Sequence, residues 1–199
     1  MRGLYWEEWA IGAEFESPGR TVTEADIVTF AGLSGDYNPL HINEEYCKTT
    51  QFGTRIAHGP LVYAIAAGLI FQLHLYDDTL IAFLGFDSLK FTNPVKAGDT
   101  IHAKLKVLEK RESSRADRGI MKRQLQVFNQ RGEMVQDAVQ AFLLKRILHH
   151  VAALVEHLQL ALHDAAISAR RFTFFQYLQF RMDGVARLHR MGEFQTVES

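Results

Sequence analysis

One cysteine, Cys47, stands in 199 residues. A single thiol excludes an intrachain disulfide and any zinc site built on a cysteine cluster, and it points to a reducing compartment. An excess of one charge is missing as well, since the formal net charge is -1. Nucleic acids and anionic membranes select basic patches, so neither is an expected partner. Residues 1 to 146 hold no apolar run of membrane-spanning length, which argues against integral membrane association. The opening "MRGLYWEEWAIG" sets acids and aromatics where a secretory leader needs an apolar stretch, so the expected location is cytoplasmic. The chain's 199 residues suit one domain, or one domain plus an appendage, and 47% hydrophobic content is ordinary for a globular core.

What is present begins with "SGDYNPLHINEEY", residues 34 to 46, a stretch without helical or strand period. Turn chemistry accounts for its Gly, Asp, Asn and Pro. It does not account for His41. Upstream, a strand turning at Pro18-Gly19 leads to a helix whose start, Thr23 and Asp26, resembles a capping box with Asp in place of Glu. Ile27, Phe30, Ala31 and Leu33 supply its apolar face, and Gly35 ends it as a left-handed cap. Asp36 therefore starts the excursion just past a helix end. Asn38, preceding Pro39, is driven to extended backbone, which turns the chain so that Asp36 and His41 can face one space.

A short helix capped by Asn43 follows, with two acids in its first turn. From Gly59 to about Leu73 nearly every residue is apolar or small, the signature of a helix buried on most sides. From Leu80 to Arg146 the period changes to alternation between Gly, Asn and Pro breaks, giving four antiparallel strands. One buried helix followed by such a sheet implies an α+β fold with the sheet curled around the helix. Beyond Arg146, apolar positions at helical spacing and the basic-aromatic run "RRFTFFQYLQFRM" suggest a helical extension of unknown role, residues 147–199: an amphipathic helical pair docking on the body, an oligomer contact or a membrane-surface contact, with helices that cover an exposed edge or a partner subunit as the plainer reading.

Three blocks, "FAGLSGDYNPLHINEEY", "FGTRIAHGPLV" and "KFTNPVKAGDTI", taken in this order, resemble the MaoC-type acyl dehydratase family, which includes the (R)-specific enoyl-CoA hydratases. The resemblance spans roughly residues 10 to 146 and makes 1–146 the family's domain, leaving 147–199 outside it. It implies a hot-dog fold, a long central helix wrapped by a curved antiparallel sheet, assembled as a homodimer by pairing of sheet edges. It also implies reversible syn addition of water across a trans-2-enoyl thioester, carried by CoA or acyl carrier protein, to give an (R)-3-hydroxyacyl product. No metal and no redox cofactor is implied.

That reaction makes two demands: a water must be activated at C3, and charge growing on the thioester oxygen must be held. Asp36 and His41 match the family's acid and imidazole, groups able to exchange protons near neutral pH. Gly59, at the start of the buried helix with Pro60 at its first position, offers a free main-chain N–H at a positive helix end. Asn38 matches the motif asparagine and is expected to hold the loop or the water. With it, His58, Leu61 and Arg55 are the candidate substrate-binding positions. Taken singly, each has a plainer reading: Asp36 as a turn residue, His41 and His58 as hydrogen-bonded rings, Gly59 as a helix start, Arg55 as solvated surface. Their common register in one chain favours the site.

Two departures bear on acyl preference: Ala67 stands where some relatives carry a substrate-binding serine, and Cys47 where alanine or serine is usual. Two rival functions follow from the same residues. Many hot-dog thioesterases place a carboxylate on the central helix, and residues 60 to 75 contain none, which lowers that rival without removing it. A non-catalytic acyl-thioester-binding protein would leave the acid, imidazole and glycine idle.

Overall fold

A computed structural model describes residues 2–147. The expected helical extension lies outside the described residues, as do all expectations attached to it.

A short 3-10 turn, Trp6–Glu8, opens the chain, and two brief strands, β1 (Glu14–Glu16) and β2 (Arg20–Thr21), follow. Helices α1 (Glu24–Ser34), α2 (Pro39–Ile42), α3 (Glu44–Lys48) and α4 (Gly59–Phe71) precede the long strands β3 (Leu80–Phe91), β4 (Thr100–Glu112), β5 (Arg118–Phe128) and β6 (Met134–Lys145). The strands form one antiparallel sheet in the order β1-β4-β5-β6-β3, with β2 also on β4. Consecutive strands β4, β5 and β6 pair as neighbours, while β3 lies against β6 at the far edge.

Alternation decides which face of the sheet meets the helix. Along β5, Met121, Leu125 and Val127 are buried while Lys122, Gln124 and Gln126 stay partly open. The buried row packs in one core with Leu61, Val62, Ile65, Ala66, Leu69 and Ile70 of α4. Each of the Leu, Val and Ile side chains contributes roughly 1.5–3 kcal/mol of transfer free energy, so the helix is held chiefly by burial and not by propensity. Three register shifts along the β3–β6 ladder, between Leu80 and Ala82, Phe83 and Gly85, and Phe86 and Ser88, bend the strand pair. The result is a helix with a sheet curled about it. Among the described residues no helix is long and apolar enough to cross a membrane.

Local signals in α1 act as expected. Thr23 Oγ1 accepts from the Asp26 N–H at 3.2 Å, and the Asp26 carboxylate accepts from the Thr23 N–H at 2.8 Å. Gly35 terminates the helix at φ 75°. Leu33 does not join the apolar face; it is 82% exposed. At 100° per residue it lies about 200° from the inward-facing Ala31, on the solvent side. The loop around residue 38 also holds more structure than its period suggests, because Asn38 caps a short helix, Pro39–Ile42.

Candidate active site

Asp36 follows the left-handed Gly35, whose N–H closes α1 on the Ala31 carbonyl at 2.9 Å. One carboxylate oxygen of Asp36 is used locally, accepting the Asn38 N–H at 3.2 Å. Asn38 Oδ1 in turn accepts the Leu40 N–H at 3.0 Å, and Pro39 occupies the start of α2 without a donor to waste. Asn38 thus holds the loop. These steps set His41 on the one turn of α2, with its side chain 12% exposed beside the half-open Asp36 at 53%.

His41 Nδ1 lies 2.7 Å from the Ile56 carbonyl. A carbonyl oxygen only accepts, so Nδ1 carries the proton and the neutral ring presents a lone pair at Nε2. That Nε2 stands 4.0 Å from Asp36 Oδ2. The gap is too long for a direct hydrogen bond and suits one water accepted by both groups.

His58, buried at the cap of α4, donates from Nε2 to the Asp36 main-chain carbonyl at 3.0 Å. Its ring stacks on His41, centroids 3.6 Å apart, and meets Phe30 at 5.0 Å. His58 therefore pins the loop to the helix entry. Asp36, His41 and His58 offer ligand atoms within 4.8 Å of one another. The two imidazoles stack and each gives one nitrogen to a main-chain carbonyl, which fixes both ring planes. Below them, the Cys47 thiol reaches the Pro39 and Leu40 carbonyls at 3.4 Å each. Burial pushes that thiol's pKa up, so Cys47 packs under α2 as an inert small group.

Gly59 is the first residue of α4 and Pro60 the second, one place later than the sequence suggested. A Cβ on Gly59 would fall 2.6 Å from the Phe91 ring, so only glycine admits that ring across the helix start. Among the described residues the Gly59 N–H has no hydrogen-bond acceptor. It opens on a cleft of about 330 Å³ that is also lined by His41, Ile56, Val62, Phe91 and Val135.

The structure thus gathers Asp36, Asn38, His41, His58 and Gly59 at one end of α4. It does not bring in the other two candidates. Leu61 is buried in the core, turned away from the cleft, and Arg55 is engaged by Glu24 at 2.6 Å and Glu44 at 3.5 Å. Each follows from position: Leu61 lies two residues past Gly59 on the helix, about 200° around, and Arg55 sits between two acidic helix starts. Sequence reasoning missed the wall Phe91–Val95, which lines the cleft together with His41. Its signal was the block "KFTNPVKAGDTI", which follows the family pattern but carries no titratable group suited to catalysis.

Comparison with known proteins places these features in context. The family model described as "MaoC like domain" matches residues 7–127. The chain is 43% identical over 107 residues to an (R)-specific enoyl-CoA hydratase of Rhodospirillum rubrum, covering 52% of this chain and 69% of that protein. It is 42% identical over 101 residues to Protein MaoC of Klebsiella aerogenes, where the match covers 51% of this chain but spans only 30% of the relative's length. Among solved structures, a monoamine oxidase regulatory protein from Archaeoglobus fulgius superposes with a TM-score of 0.70 at 41% identity, covering 73% of this chain and 97% of that one. The helix wrapped by its sheet is the hot-dog fold.

Proposed function

The chain belongs to the MaoC-like domain family, and on that footing we propose that it is a hydro-lyase adding water reversibly and with syn geometry across trans-2-enoyl thioesters to give (R)-3-hydroxyacyl thioesters. The carrier is CoA or acyl carrier protein. The observation that carries the reading is an imidazole, His41, that lines one cleft together with an unpaired main-chain N–H and stands 4.0 Å from a carboxylate, Asp36.

In the proposed cycle the thioester carbonyl accepts the Gly59 N–H, and the positive end of α4 favours the enolate-like oxygen. A water between Asp36 Oδ2 and His41 Nε2 gives its hydroxyl to C3 and its remaining proton to the pair, which returns a proton to C2 on the same face. Atoms balance: one water is consumed, one C–O and one C–H bond form, and the C=C bond is lost. Dehydration runs the same steps backwards. His58 acts by fixing the Asp36 main chain and the plane of the His41 ring, which makes it a positioning residue.

Loss of the enoyl-thioester absorbance of crotonyl-CoA tests the proposal, with detection of free thiol reporting thioesterase action instead. The expected result is hydration without thiol release, reduced at least about 100-fold in Asp36→Asn and in His41→Ala. Unchanged rates in both variants contradict the mechanism, release of CoA supports the thioesterase reading, and binding without turnover supports a non-catalytic acyl-thioester binder.

A homodimer accompanies the proposal. Strand β3 ends the sheet, and it exposes Phe83, Leu84 and Phe86, apolar groups of the kind a second sheet edge would cover.

A further inference from the structure

The lining of the cleft beside Gly59 divides by burial. Ala57, Val62, Val95 and Val135 are buried and form an apolar floor, while Thr92, Asn93 and Pro94 are exposed and form its rim. Three of the lining side chains carry polar atoms, namely His41, Thr92 and Asn93. His41 serves the water in the proposed cycle. Thr92 Oγ1 and Asn93 Nδ2 both donate to the Met134 carbonyl, at 2.5 and 2.7 Å. A carbonyl only accepts, so the carboxamide of Asn93 is fixed with its nitrogen toward Met134 and its oxygen turned away from it. That oxygen, Oδ1, has no partner among the described residues.

The backbone on either side of Asn93 is held as firmly. The Thr92 N–H donates to the Val135 carbonyl at 3.0 Å, the Ala57 N–H donates to the Val95 carbonyl at 2.7 Å, and Ile56 bridges to Lys96. Segment 91–95 is therefore tied to β6 and to the chain entering α4, the same chain whose Ile56 carbonyl accepts from His41. Asn93, with a free acceptor, and Gly59, with a free donor, line one cleft on supports the fold fixes. A mostly apolar cleft with a few fixed polar groups is the usual form of a small-molecule site.

Resting on the proposed hydratase reading, we infer that Asn93 binds the arm that carries the acyl group, its Oδ1 accepting the N–H of the amide nearest the thioester sulfur. CoA and acyl carrier protein both present the acyl group on a phosphopantetheine arm, which has such an amide. The arm must reach solvent, so it leaves over the exposed rim, where Asn93 stands, and not across the buried floor. Size agrees. At about 30 Å³ for each water-sized group, the cleft of about 330 Å³ takes roughly eleven non-hydrogen atoms, about the number in a four-carbon enoyl group with its sulfur and that first amide. An acceptor fixed in this way also discriminates, because an arm with an ester oxygen in place of the N–H would set two acceptors against each other.

The test compares the crotonyl thioesters of N-acetylcysteamine, which ends in that first amide, and of 2-mercaptoethyl acetate, in which an ester oxygen replaces the N–H. Wild type should favour the amide member by about 5- to 50-fold in kcat/KM, and Asn93→Ala should bring the ratio to within about twofold of one. A role confined to the Met134 contact would lower both substrates together and leave the ratio where it was. A wild-type ratio near one, or a ratio unmoved by Asn93→Ala, overturns the inference. Crotonyl-CoA and crotonyl acyl carrier protein, run side by side, identify the source of the arm; on the faster of the two Asn93→Ala should cost at least about threefold, and an undiminished rate there also overturns it. Absence of hydration with every thioester would sink the hydratase reading alone. Ligand-observed NMR titration of the butyryl thioesters of the same two small arms then decides: preference for the amide member, abolished by Asn93→Ala, upholds the arm subsite, and equal binding of the two removes it.

Discussion

Gly59→Ala puts the geometry of the proposed oxyanion donor under direct strain. The added methyl would sit 2.6, 2.7 and 2.8 Å from three atoms of the Phe91 ring. Ordinary carbon contacts lie at about 3.5–4.0 Å, so the ring or the helix start must give by about an ångström. Overpacking of this kind costs about 1–3 kcal/mol, against which alanine's better helix propensity returns less than about 1 kcal/mol. A net loss of about 1–2 kcal/mol lowers Tm by roughly 2–8 °C for a chain of this size. The rate should fall further, because the N–H that moves with the helix start is the one proposed to face the thioester; losing such a donor outright costs on the order of 100- to 1000-fold. Calorimetry and crotonyl-CoA hydration read the two effects. The decisive control is the cycle with Phe91→Ala: with the ring gone, the methyl finds space, and the stability cost of Gly59→Ala should shrink by at least about 1 kcal/mol. An equal cost in both backgrounds, or a Gly59→Ala protein with wild-type Tm and rate, refutes the reasoning.

Other outcomes follow from the same contacts. Asn38→Ala removes the cap of α2 and should cost about 1 kcal/mol in denaturant unfolding, with a larger fall in kcat than in stability because α2 carries His41. His58→Ala should leave binding of the thioester intact while lowering kcat, since the ring touches Asp36 and His41 and does not line the cleft; a change in KM alone would contradict that role. Acid unfolding should draw on Asp99. Burial pushes its carboxyl pKa up, but the Lys96 N–H, the Gln130 amide and the Arg131 guanidinium outweigh burial and leave it below the ordinary value. A folded-state pKa below the unfolded one gives stability that is present above about pH 4 and lost as pH falls through the folded value. Asp99→Asn should therefore flatten the loss of Tm below about pH 4, and an unchanged acid limb would show that Asp99 carries none of it.

Much of this architecture was legible before any coordinates. The strands β3 to β6 announce themselves by period-2 alternation, and α4 by an apolar run with no polar face, because both patterns come straight from which side chains must leave water. The capping box at Thr23 and the left-handed Gly35 are equally local, set by backbone hydrogen bonds within a few residues. Non-local facts were not legible. Leu33 looked like part of an apolar face until the rotation of α1 on the body was known, and Arg55 looked free until Glu24 and Glu44, distant in sequence, closed on it. The stacking of His58 on His41 and the burial of Arg123 likewise depend on contacts between elements, which no spacing along the chain encodes.

Crystallising the protein with 3-hydroxybutyryl-CoA measures the central arrangement directly. The account predicts the thioester oxygen within hydrogen-bond distance of the Gly59 nitrogen and the C3 hydroxyl between Asp36 Oδ2 and His41 Nε2. A thioester lying away from the start of α4, or a hydroxyl contacting neither side chain, would contradict it.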